Sequence, residues 1–201
     1  MSREETRSLA RQETQALARE LKTQGKILGG FIGQIWAIGI IDLVVGGALN
    51  TYGIWPHHFI GLRGIFFAPF LHGSLGHLIA NSIPFIVLGW FVMLRETSDF
   101  FVVTAITMLV SGLGTWVFGS PNSIHIGASG LIFGYLGFLL LRGYFERNFP
   151  SILLSLVVGF LYGGTIWGVL PTQVGISWQG HLFGFIGGVI AARLLSRKKL
   201  S

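Results

Sequence analysis

Cysteine is absent from this chain, and charge is scarce. Without cysteine there is no disulfide and no thiolate metal site, so the redox compartment leaves no trace in the sequence. Only 11% of the 201 residues are charged, while 51% are hydrophobic. Ordinary soluble domains carry about 25% charge, more than twice as much. Several apolar runs approach the roughly 20 residues that cross a bilayer as a helix. The composition therefore excludes a soluble globular domain and predicts an integral membrane protein with one compact domain. No signal peptide is read at the start, because residues 1–26 mix acids with bases and lack an apolar segment.

What is present can be taken in chain order. Residues 1–26 are polar, with Leu9, Leu17 and Leu21 at helical spacing, and are read as a cytoplasmic tail with no catalytic role. Six spans are expected, at 27–49, 73–94, 100–118, 129–141, 152–170 and 180–195. Pro84 is expected to kink the second. The fourth is short, which sets its first residue below the membrane surface. The first carries Asp42, an acid that is costly in lipid and is read here as structural. Residues 50–71 are too broken by Gly and Pro to span, yet they include Phe59, Ile60, Phe66, Phe67 and Phe70. Irregular backbone cannot face lipid with its polar groups unpaired. This loop is expected to be a compact substructure at the interface, anchored by Trp55.

Six spans place both termini on one side. Thirteen of the 14 Lys and Arg residues then fall on that side, and only Arg63 on the other. The positive-inside rule puts the termini in the cytoplasm of a multi-pass cell-membrane protein. The net charge of +6 is thus topological. It is spread over loops and mixed with acids, which argues against nucleic acid as a partner.

The same topology gathers the polar residues. All six histidines lie on the outer side. Ser129 opens the fourth span inside Gly127-Ala128-Ser129-Gly130, and His181 opens the sixth. His77 and Asn81 share one face of the second span, at i and i+4. A serine hydroxyl becomes a nucleophile when a base takes its proton, and His181 is the candidate base. The oxyanion formed on attack needs fixed donors, for which His77, Asn81 and the Ser129 backbone N–H are candidates. No acid lies on the outer side, so the reading is a Ser-His dyad without a third member. Gly130 and Gly134, facing Gly180, Gly184 and Gly188, would let the two helices approach closely. Phe133, one turn below Ser129, is placed to stack on the His181 ring.

Each signal alone has a blander reading. Thirty glycines make a chance Gly-x-Ser-Gly easy. His77 and Asn81 alone would be interhelical glue worth about 1 kcal/mol. A metal site is disfavoured, since His72 and His77 are five apart and no outer carboxylate accompanies them. The order and shared depth of the motifs carry the argument.

Taken together, His72-Gly-Ser-Leu-Gly-His77-Leu-Ile-Ala-Asn81, Gly127-Ala-Ser129-Gly130 and Gly180-His181-Leu-Phe-Gly184-Phe-Ile-Gly-Gly188 resemble the rhomboid family of intramembrane serine proteases. The resemblance covers nearly the whole chain in layout and implies an all-α, six-transmembrane-helix bundle with a membrane-embedded first loop. It divides the chain into a tail at 1–26, a protease domain at 27–195 and a basic tail at 196–201. It implies Ser129 as nucleophile, His181 as general base and acid, and His77 and Asn81 as oxyanion donors. Gly127, Ala128, Gly130, Phe133 and His72 would form the substrate-binding surroundings, with His72, His77 and His181 lining a polar pocket that admits water. Residues 171–179 would cap the site, and the fifth span with this cap would form the gate. Phe133 stands where many relatives have tyrosine, and Leu62-Arg63 where the first loop often has Trp-Arg.

The expected function is endopeptidase cleavage in or near a transmembrane helix of membrane-protein substrates, with no metal or organic cofactor. The alternative is a catalytically silent rhomboid-like protein that binds membrane clients. A histidine-lined transporter is a third reading, disfavoured because the inner halves of the spans are almost wholly apolar.

Overall fold

The computed structural model describes residues 3–171 and 175–196. Three expected cap residues, 172–174, and the basic tail from 197 onward lie outside the described residues. The helices are α1 (Arg3–Val44), α2 (Gly64–Phe67), α3 (Leu75–Met93), α4 (Thr97–Phe118), α5 (Ser129–Glu146), α6 (Phe149–Tyr162) and α7 (Trp178–Ser196). A 3-10 segment, Gly163–Val169, continues α6. Among the described residues the sole β feature is an isolated antiparallel bridge between Ile54 and His125. This is an all-α bundle of largely apolar helices. Four helical stretches are long and apolar enough to cross a bilayer: α1, α3, α4 and α6 with its 3-10 continuation. α5 and α7 lie between them, and α5 is buried along most of its length.

The tail and the first span form one helix of 42 residues. No proline precedes Pro56, and the polar stretch is rich in Ala, Leu, Arg, Glu and Gln, all strong helix formers. The helix stops where Gly46 and Gly47 take left-handed φ of 72° and 83°. The Gly47 N–H returns to the Asp42 carbonyl at 2.8 Å. Buried Asp42 then accepts the Leu49 N–H at 2.7 Å, folding the chain back over the helix end. This costly acid is thus held locally, capping the turn out of its own helix.

Residues 48–70 are a compact string of 3-10 turns around α2. Arg63 donates to the Thr51 carbonyl at 3.1 Å and lies 4.2 Å above the Tyr52 ring. The indole N–H groups of Trp55 and Trp116 donate to Pro121 and His58 carbonyls, both at 2.9 Å. Several of the loop's polar groups are thus bonded within the protein, while Phe59, Ile60, Phe66 and Phe67 project outward.

The core lies around α5. Tyr135, Phe85, Phe100 and Phe138 are almost wholly inaccessible. The Tyr135 hydroxyl meets Thr104 Oγ1 at 2.8 Å; Thr104 gives its own proton to the Phe100 carbonyl, so tyrosine donates. Glycine sets the α5–α7 spacing: a methyl at Gly184 would overlap the Gly130 carbonyl, and one at Gly188 the Gly134 carbonyl.

α5 runs on to Glu146, where the sequence reading ended the fourth span near Leu141. The charged residues that seemed to mark a loop are paired inside the protein. Arg142 reaches Glu146 at 3.1 Å, and Arg95 reaches Glu146 at 2.7 Å and Asp99 at 3.2 Å. Ser151 and Asn148, at the start of α6, also donate to Glu146. This cluster closes the end of the bundle remote from Ser129.

Candidate active site

The loop before α5 delivers Ser129 as the helix's first residue. Gly127 makes this possible. Its φ is 116°, and a methyl there would meet the His77 ring at 2.7 Å. Its N–H donates to the Ala68 carbonyl at 2.8 Å, tying the nucleophile loop to the first loop.

Close α5–α7 packing brings Ser129 Oγ within 2.8 Å of His181 Nε2. The other ring nitrogen, Nδ1, lies 2.8 Å from the Gly168 carbonyl. A carbonyl only accepts, so Nδ1 carries the proton and Nε2 accepts from the Ser129 hydroxyl. That is the tautomer a general base requires. The third member of the arrangement is therefore a backbone carbonyl from the 3-10 segment after α6. Sequence reading could not find it, because a carbonyl leaves no residue-type signal. Phe133 stacks on His181, with ring centroids 4.1 Å apart and planes 10° from parallel, as the one-turn spacing predicts.

Ser74 caps α3, its Oγ accepting the His77 N–H at 3.1 Å. One helical turn on, Asn81 Nδ2 lies 3.0 Å from His72 Nε2. An amide nitrogen only donates, so Nε2 is unprotonated and His72 is the acceptor. The Ala128 N–H also points at this nitrogen, at 3.5 Å. His72 sits in the turn ahead of α3. Burial, with the neighbouring His77, lowers its pKa from 6.5 to about 4, against a smaller opposing effect of the Phe70 backbone. It is thus neutral where Asn81 and Ala128 need an acceptor.

A cavity of about 800 Å³ opens over the site, lined by His77, Asn81, Ser129, His181, Ser120 and Gln179 among others. His72 does not line it, contrary to the sequence expectation. Its ring is 1% exposed, tucked beneath Asn81 by the 71–74 turn. Gly127 and Gly130 line a smaller adjoining cavity with Ser129, while Ala128 is buried. Among the described residues, no three His, Asp or Glu side chains converge as a metal site.

A family model described as the rhomboid domain matches residues 61–198, well over half of the chain. This chain belongs to the rhomboid family. An uncharacterised protein of Mycobacterium tuberculosis is 46% identical over 174 residues, covering 83% of this chain and 72% of its own. One from Mycobacterium leprae is 43% identical over 174 residues, covering 83% and 69%. A Bacillus subtilis protein provisionally titled a rhomboid protease is 28% identical over 131 residues, covering 64% and 65%. Ser129, His77, Asn81 and His181 all fall within the segment matched to the rhomboid model.

Proposed function

We propose that this rhomboid-family protein is an intramembrane serine endopeptidase that cleaves a peptide bond in or near a transmembrane helix of another membrane protein. The observation that carries the reading is the Ser129–His181 hydrogen bond of 2.8 Å with Nδ1 committed to Gly168. His181 Nε2 takes the hydroxyl proton as Ser129 Oγ bonds to the scissile carbonyl carbon. The carbonyl oxygen becomes an oxyanion, met by His77, the free Asn81 N–H and the Ser129 backbone N–H. The start of α5 adds its positive dipole there. When the C–N bond breaks, the imidazolium returns its proton to the leaving amine. Water then enters from the cavity and loses a proton to His181. It attacks the acyl-enzyme, and the proton returns to Ser129 as the acid product leaves.

A peptide bond within a helix is shielded, its carbonyl already hydrogen-bonded to an N–H. The substrate must unwind locally, so helix breakers and small residues near the cut are favoured. Lipid lies around the bundle, the site opens to the extracytoplasmic side, and both termini are cytoplasmic by the distribution of Lys and Arg.

The test is cleavage of a transmembrane reporter in liposomes. Ser129→Ala and His181→Ala each lower kcat by a factor on the order of 10⁶, which means below detection. Retained cleavage by Ser129→Ala overturns the reading. Binding of several reporters by wild type without cleavage replaces it with the client-binding role.

A further inference from the structure

Four residues ahead of Ser129 and His181 on the same two segments stands a second serine–histidine pair with its members exchanged. His125 Nδ1 lies 2.7 Å from Ser177 Oγ, and both pairs span a sequence separation of 52 residues. The hydrogen positions follow from the neighbours. Ser123 Oγ gives its proton to the Ser120 carbonyl at 2.7 Å. It must therefore accept from His125 Nε2, which lies 2.8 Å away. With Nε2 protonated, neutral His125 presents Nδ1 as an acceptor, and the Ser177 hydroxyl donates to it. Ser177 Oγ in turn accepts the Gly180 N–H at 3.3 Å, at the head of α7.

One directed chain of hydrogen bonds thus runs Gly180, Ser177, His125, Ser123, Ser120. It joins the start of the helix carrying His181 to the loop that leads into Ser129. The His125 backbone is itself fixed, exchanging two 2.9 Å hydrogen bonds with Ile54 of the first loop. A second tie runs beside the chain, with Ser111 Oγ of α4 donating to the Gly180 carbonyl at 2.8 Å. The α5–α7 glycine contacts fix how close the helices come. They do not by themselves fix how far the first turn of α7 slides along Ser129. His125 and Ser177 supply that restraint.

We propose that His125 is a positioning residue, a strut that holds His181 in register with Ser129 through Ser177. This rests on the protease reading for its kinetic consequence, though not for its structural one. A displacement of about 1 Å between reacting groups slows catalysis by roughly a hundredfold. His125→Ala and Ser177→Ala are therefore each expected to slow fluorophosphonate labelling of Ser129 roughly ten- to hundredfold. The same factor should appear in kcat, with KM for a transmembrane reporter little changed. His125→Asn keeps an acceptor near the Nδ1 position and recovers part of the loss. The double variant is no slower than the slower single one, because both remove one strut.

Ring ¹⁵N spectra in detergent read the strut without any turnover. Wild type should show His125 bare at Nδ1 and protonated at Nε2, and His181 the reverse. His125→Ala should shift the His181 Nε2 resonance as its serine partner moves away. Unmoved His181 resonances in His125→Ala overturn the proposal, as do losses that multiply in the double variant. If His125→Ala fails to fold, Ser177→Ala carries the same comparison. A wild type that neither labels nor cleaves sinks the protease reading, while the ring spectra still decide the strut.

Discussion

At the scale of single residues, the site divides into what a residue type announces and what only the folded backbone supplies. Ser129, His181, His77 and Asn81 were legible because their side chains are rare in apolar helices and fall at matching ends of their spans. Gly168 was not legible, since any residue would offer the same carbonyl. His72 was visible but misplaced: helical spacing says which residues share a face, and His72 precedes the helix. Its buried position gives a prediction with a definite sign. The folded pKa of about 4 lies below the ordinary 6.5, so the neutral ring contributes stability in full above pH 6.5. That contribution is lost as pH falls from 6.5 towards 4. Thermal unfolding followed from pH 7.5 to about 4.5 should steepen in wild type and flatten in His72→Gln. His72→Ala should also reduce kcat, by less than the roughly hundredfold expected for Asn81→Ala, because it frees the donor amide without deleting it.

At the scale of elements, glycine decides where helices touch. Ala at Gly184 forces α7 away from the Gly130 carbonyl, and overpacking of this kind costs about 3 kcal/mol. Ala at Gly29 in α1 meets nothing within 4 Å and should leave stability unchanged or slightly raised. Denaturation in mixed detergent micelles separates the two, and equal effects would contradict the close approach described. The small-residue spacing was readable in sequence, since two glycine ladders faced each other across the expected spans. The end of α5 was not. Arg142 and Glu146 look like loop residues until Arg95, Asn148 and Ser151 are brought to them by other helices. Glu146→Ala leaves Arg95 and Arg142 without their shared carboxylate, and should destabilise by about 3–5 kcal/mol while leaving Ser129 labelling of the folded fraction unchanged.

At the scale of the whole molecule, topology follows from charge and the fold from pattern. The six-span reading places 13 of the 14 basic residues on the side of the termini, and so predicts that tags at either end are protease-sensitive only in inside-out vesicles. Tags exposed on opposite faces would overturn the six-span arrangement. The bundle's class was readable from six apolar stretches and three motifs. Its asymmetry was not: α5 is buried along most of its length, whereas α6 and its continuation are hardly buried at all. Burial of this kind depends on which helices are neighbours, and hydropathy alone does not report that.

That asymmetry bears on timing. The carbonyl that keeps the proton on the far side of the His181 ring belongs to the least buried of the four long apolar stretches. Were residues 163–169 to lift away, the imidazole would be free to exchange tautomers, and the form with Nε2 protonated could not accept from serine. The site would then be ready only for the fraction of time that this stretch is docked. Turnover becomes a product of two numbers, the intrinsic rate of acylation and the docked fraction. A cross-link that pins the segment should raise the second while slowing whatever step needs it to move.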